Sequence, residues 1–144
     1  MTMANGFYGL LLEDAFDATA LDPNFDADTV NLRLVTDTYT PNFNTHSTTA
    51  DITNELTTSG GYTVGGQALD TPTWATSGGF TTYDTADEQW TSATFTARGG
   101  VLVDTTITNR LIAAATAGAD VLVTAGTFTY QVAAAGHVAF DIIP

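Results

Sequence analysis

Apolar and polar residues alternate from Thr29 to Thr36. Val30, Leu32 and Leu34 fall on one side, and Asn31, Arg33 and Val35 on the other. An extended chain points successive side chains to opposite faces, so this run predicts a strand with a buried face. A different period governs the N-terminal stretch. Phe7, Leu10 and Leu11 with Asp14 and Ala15 follow helical spacing, which predicts a short amphipathic helix with Asn5 as its N-cap. Glu13 and Asp14 lie late in that helix, where the backbone dipole disfavours negative charge, so it should be short.

Residues 17–28 read as an acidic turn region, with Asp17, Asp22, Asp26 and Asp28 around Pro23. Positions 1–28 are thus a helical and acidic lead-in to the strands. Residues 37–60 are polar and rich in threonine and asparagine, which predicts a long surface loop with a helical turn near Thr49–Leu56. Paired glycines at 60–61 and 65–66 then bracket Tyr62-Thr63-Val64 as a turn. Short strands are predicted at Thr71–Thr76 and Gly79–Asp84 around a Ser-Gly-Gly turn, and at Ala93–Ala97 and Val101–Asp104 separated by Gly99-Gly100. Further strands are predicted at Arg110–Thr116, Val121–Val123, Thr127–Val132 and His137–Ile143. Turn signals at roughly eight-to-twelve-residue intervals are the pattern of a sandwich or barrel. Abundant threonine suits a half-buried pleated face. The expected fold is mainly β: one domain over 1–144, an antiparallel β-sandwich or barrel-like fold with a short N-terminal helix.

Charge narrows the chemistry. Sixteen acidic residues face three arginines, Arg33, Arg98 and Arg110, with no lysine, and the net charge is −13. Nucleic acid and anionic membranes both call for clustered cations, so neither is expected as a partner. No stretch reaches the roughly 18 apolar residues of a membrane span, and no basic, apolar leader is expected at the N-terminus. A surface this acidic repels itself in dilute buffer and much less in brine, where the Debye length falls to about 3 Å at 1 M salt. A saline or hypersaline habitat is therefore expected, and thermal stability should rise along a salt series. The absence of cysteine removes disulfides and thiolate metal sites.

Each candidate for chemistry has a plainer reading. Asp22, Asn24, Asp26 and Asp28 alternate as calcium ligands do, but Ala27 stands where a calcium loop needs glycine and Arg33 where it needs glutamate. An acidic turn is the expected structure. His46 and His137 sit in unrelated contexts, no serine lies in a nucleophile elbow, and the Gly60–Gly66 segment lacks the Lys-Ser/Thr of a phosphate loop. Asp87-Glu88 is an acid pair of the kind that any acidic chain offers. No cofactor, metal or catalytic residue is expected. Trp74 and Trp90 are expected in the core before an interface. Arg98 is expected to form a specific carboxylate pair, with the partner's chain left open.

Three blocks, taken in order, carry a family resemblance. They are Leu32-Arg-Leu-Val-Thr36 with Tyr39-Thr-Pro41 and His46, then Gly61-Tyr62-Thr-Val-Gly-Gly66-Gln-Ala-Leu69, then Trp90-Thr-Ser-Ala-Thr94-Phe-Thr-Ala-Arg98-Gly-Gly-Val-Leu102. Together they resemble small virion structural proteins of tailed phages, of the head-decoration or head-fibre kind. The chain departs from that family in its missing lysine and in the alanine-rich Ala113–Ala119 and Ala133–Ala135. The resemblance implies a capsid decoration protein on the outer surface of the head. Its partners would be the major capsid protein and copies of itself, a threefold ring being the preferred assembly. The expected contact residues are Phe7, Leu10, Leu11 and Phe16 near the N-terminus, Phe140, Ile142 and Ile143 in the segment ending at Pro144, and Arg98. The alternative is a receptor- or carbohydrate-binding module of a head or tail fibre, with Trp74, Tyr83 and Trp90 as stacking platforms.

Overall fold

The computed structural model describes residues 3–17 and 21–143. Over them the chain runs through β1 (Gly6–Phe7), α1 (Gly9–Phe16), β2 (Val30–Val35), β3 (Gln67–Ala68), β4 (Thr73–Ser77), β5 (Phe80–Asp84), β6 (Glu88–Asp104), β7 (Arg110–Tyr130) and β8 (Val138–Asp141). A 3-10 turn at Thr49–Asp51 realises the expected helical turn. The strands pair antiparallel in two sheets, ordered β1-β7-β6-β2-β3 and β4-β5-β8. The fold is mainly β and sandwich-like, with a short helix ahead of the long strands, as the alternation predicted.

β2 lies inside the larger sheet, between β6 and β3. Its predicted face is buried: Val30, Leu32 and Leu34 cluster with Leu102, Ile112, Tyr83 and Trp90. The other face is covered as well. Val35 joins Val101, Val103 and Leu111, and Tyr8 and Tyr39 pack with them. Part of that cover comes from the segment expected to be a surface loop, through Tyr39, Phe43 and Ile52. These few apolar side chains are spaced too irregularly to register as a pattern, yet they anchor the segment to the sheet. The Tyr8 and Tyr39 hydroxyls share a 2.7 Å hydrogen bond, and His46 Nδ1 lies 3.3 Å from the Tyr39 hydroxyl, so both buried polar atoms are satisfied. Burial raises both phenols' pKa, so the pair stays neutral.

Three expected strand breaks are corrected. Ala93–Ala97 and Val101–Asp104 belong to one strand, β6, and the segments between Arg110 and Tyr130 join in β7. Gly99 and Gly100 do not turn the chain. A Cβ on Gly99 would lie 2.2 Å from the Ala115 carbonyl oxygen, and one on Gly100 would lie 2.5 Å from the Leu32 side chain. These glycines let neighbouring backbone and side chains approach β6. Opposite them β7 bulges. Gly99 pairs with Thr116 but Ala97 with Val121, so residues 117–120 stand out of the ladder. The hairpin also folds back on itself: the ring of Tyr130, which pairs with Glu88 at the far end, lies 3.4 Å from that same Gly100 position.

The turn signalled by the paired glycines forms and is tied down by charge. Glu55 Oε2 accepts from Arg33 Nη1 at 3.1 Å, while its Oε1 accepts from the Tyr62 hydroxyl and the Gly65 amide, both at 2.7 Å. The Tyr62 hydroxyl accepts in turn from the Leu34 amide of β2 at 3.1 Å. At Gly66, with φ of 72°, a Cβ would lie 1.9 Å from the Leu32 carbonyl oxygen, so only glycine closes this turn against β2.

Candidate functional site

α1 carries the first candidate contact residues. Its N-cap is Tyr8, which makes no side-chain cap. The expected cap, Asn5, instead accepts from the Thr116 amide at 2.6 Å and secures the β1 edge to β7. Helical periodicity places Leu11 inward, where it is buried in the main core. Of the two late acids, Asp14 finds the compensation that local sequence lacks. Arg110 pairs with Asp14 and donates to the Leu10 carbonyl at 3.3 Å, bringing a cation to the C-terminal half of the helix.

Four residues apart on the other face, Leu12 and Phe16 point to solvent, and Phe16 is 86% exposed. With Ala15 and Leu21 they line a groove of about 340 Å³ whose other wall is Phe25 and Trp74. Phe25 meets Trp74 edge-on at 5.4 Å between ring centroids, Trp74 meets Phe140 at 6.0 Å, and Phe140 meets Phe7 at 5.4 Å. A chain of aromatic contacts thus links the groove to β8. Beyond Phe140, Ile142 and Ile143 are 54% and 60% exposed beside the exposed Phe80. Of the expected contact residues, then, Phe16, Ile142 and Ile143 are free to meet a partner. Leu10 is half-buried, and Phe7, Leu11 and Phe140 pack within the chain itself. Pro144 and positions 18–20 of the acidic region lie outside the described residues. Leu12, Phe80 and Leu122 are exposed apolar residues that periodicity did not single out.

Arg98 finds its carboxylate in the same chain. Its Nε donates to Asp120 Oδ1 at 2.8 Å, across the base of the β7 bulge. It is therefore a strut of the hairpin and not a free contact residue. Asp120 is 47% exposed, so the pair is solvent-screened. Arg98→Ala is expected to cost less than about 1 kcal/mol in a urea melt. A loss of several kcal/mol would contradict this assignment.

The aromatic platforms divide. Tyr83 and Trp90 are buried, which closes both to a sugar, and only Trp74 keeps an exposed part in the groove. The acidic turn is built as expected. Asp28 Oδ2 accepts from the Asn24 amide at 2.7 Å, and Asp26 Oδ1 accepts from the Trp74 amide, fastening the turn to β4. Among the described residues no group of three or more His, Asp or Glu converges on a metal-sized space. Asp87 and Glu88 diverge: Asp87 accepts from the Val132 amide, and the buried Glu88 accepts from the Asp70 amide. His46 lies against Tyr8 and Tyr39, remote in contacts from His137.

Two ionisable groups stand out, the buried Asp104 and the half-buried His137. Asp104 ends β6, and its Oδ1 accepts from the Thr106 and Ile107 amides at 2.9 and 3.2 Å, shaping the turn into β7. Its Oδ2 is buried without a donor, as is the Tyr83 hydroxyl. Burial first, then the neighbouring Asp28, pushes the Asp104 carboxyl up to about 6, against the opposing pull of the two amides. His137 stacks on Tyr130, and its Nε2 lies 2.7 Å from the Thr85 hydroxyl. Burial brings His137 down to about 4, partly offset by Asp84. Sequence offered no sign of either, because an acid at a strand end and a lone histidine acquire these environments only through tertiary packing.

Comparison with protein-family models, with curated proteins and with solved structures finds no match for the chain.

Proposed function

We propose that this protein works by adhesion and not catalysis, as a decoration protein on the outer surface of a tailed-virus head. There it holds neighbouring copies of the major capsid protein together, with further copies of itself alongside. The observation that carries this reading is the exposure of Phe16, Ile142 and Ile143 on a domain that has already filled its core. Phe16 lies in one groove and Ile142 and Ile143 against Gly79, and exposed apolar surface of this kind is what a partner can cover. The net charge of −13 fits an outward-facing shell position, away from packaged nucleic acid. The resemblance of the Gly61–Leu69 and Trp90–Leu102 blocks to virion structural proteins supplies the class of partner.

The test is stoichiometry. Quantitative mass spectrometry of purified particles should find the chain in hundreds of copies, on the scale of the shell lattice. A handful of copies would favour the fibre reading, and absence from particles would end both.

A further inference from the structure

We propose that the groove between α1 and the Asp22–Asp26 turn receives a basic segment of another protein. That segment would insert an aromatic or aliphatic side chain beside Phe16 and lay lysine or arginine on the surrounding carboxylates. The groove is apolar where a side chain would enter, between Leu12 and Phe16 on the helix and Phe25 and Trp74 opposite. At 86% exposure Phe16 has almost no cover from its own chain. The edge-to-face contact of Phe25 with Trp74 makes that wall a pre-formed aromatic surface.

The electrostatics choose the occupant. Asp22 and Asp26 line the groove, and Glu13, Asp14, Asp17 and Asp28 lie in the same stretch of chain. No lysine or arginine precedes Arg33. Arg110 is the cation that reaches α1, and Asp14 and the Leu10 carbonyl already engage it. A second copy approaching through the same face would set these carboxylates against their equivalents, and each copy carries a net charge of −13. Anionic polymers and lipid headgroups are repelled in the same way. An apolar anchor flanked by cations meets both features of the site. The inference rests on the adhesion reading only in taking the partner to be a protein.

Trp74 is a built-in reporter, since it stands in the groove whereas Trp90 is sealed in the core. The purified full chain would be titrated with three short synthetic peptides. One alternates phenylalanine with lysine, one serine with lysine, and one phenylalanine with glutamate. The first alone is expected to shift tryptophan emission, and the shift should vanish in Trp74→Phe. Its affinity should fall about tenfold from low to high salt, as screening removes the carboxylates' contribution. Phe16→Ser, a change at a solvent-facing position, should keep the fold by circular dichroism and weaken binding about tenfold. Equal binding of the glutamate peptide, or unaltered binding by Phe16→Ser, would overturn the proposal. So would a peptide-free dimer in sedimentation that Phe16→Ser dissolves, because the groove's occupant would then be a second copy. A chain abundant in particles but indifferent to these peptides would sink the docking site and leave the capsid reading standing. Peptide binding by a chain absent from particles would do the reverse.

Discussion

Asp104→Asn is expected to stabilise the protein at pH 7 by about 3 kcal/mol, an unusual outcome for a change at a fully buried position. The folded state raises this carboxyl from 3.8 to about 6, mainly by burial. Stability from this group is fully present below the unfolded value, is lost as pH rises through about 6, and is absent at neutrality. Asparagine keeps an oxygen for the Thr106 and Ile107 amides. Its NH₂ group replaces the donorless Oδ2 on the side of Asp28. His137 works in the opposite direction over the same range. Its pKa is lowered from 6.5 to about 4, so its contribution is complete above 6.5 and drains away as pH falls through 4. In the parent chain the two titrations oppose each other between pH 4 and 6.5, and the stability profile should be shallow there. Asp104→Asn should expose the histidine, giving a curve that falls steadily on acidification. Urea melts at pH 4.5 and 7 measure both effects. A destabilised variant with an unchanged profile would mean that Asp104 carries no such strain.

Glu55→Ala should act in the other direction and cost about 3–5 kcal/mol. Three donors converge on this carboxylate: the Arg33 guanidinium, the Tyr62 hydroxyl and the Gly65 amide. Removing it strands a charge on an Arg33 side chain that is only 16% exposed and whose Nε already lacks a partner. It also frees the turn that holds Gly66 against β2. Glu55→Gln retains an acceptor for Tyr62 and Gly65 while losing the charge, so it should recover part of the loss. Equal melting of the alanine and glutamine variants would show that the charge itself contributes little.

These two sites mark where sequence reading succeeds and where it stops. Alternation over 29–36 revealed β2 and its inward Val30, Leu32 and Leu34, because a strand's period is written in consecutive residues. Helical spacing likewise found α1 and the inward Leu11. A glycine pair signals a turn, and one forms at Gly60–Gly66; at Gly99-Gly100 the pair instead makes room for neighbours supplied by Leu32 and Ala115. The acid cluster before residue 29 was visible, but not the Phe25 and Trp74 wall that makes a groove beside it, since Trp74 arrives from β4. Phe16, Ile142 and Ile143 could be suspected as contacts from apolar character at either end of the chain. Only packing separated them from Phe7, Leu11 and Phe140, which have the same character and are spoken for.

The reach of β1 to β7 has a consequence for the order of events during synthesis. Gly6 finds Ala114 as its partner, and α1 is moored by Arg110. At about 10 residues per second, the ribosome takes on the order of ten seconds to supply those partners. Meanwhile the hairpin of β6 and β7 closes through residues 105–109 alone and pairs almost as soon as it emerges. β1 and α1 are thus among the last elements to settle, and the growing chain waits with Leu11 and Tyr8 uncovered until their partners arrive.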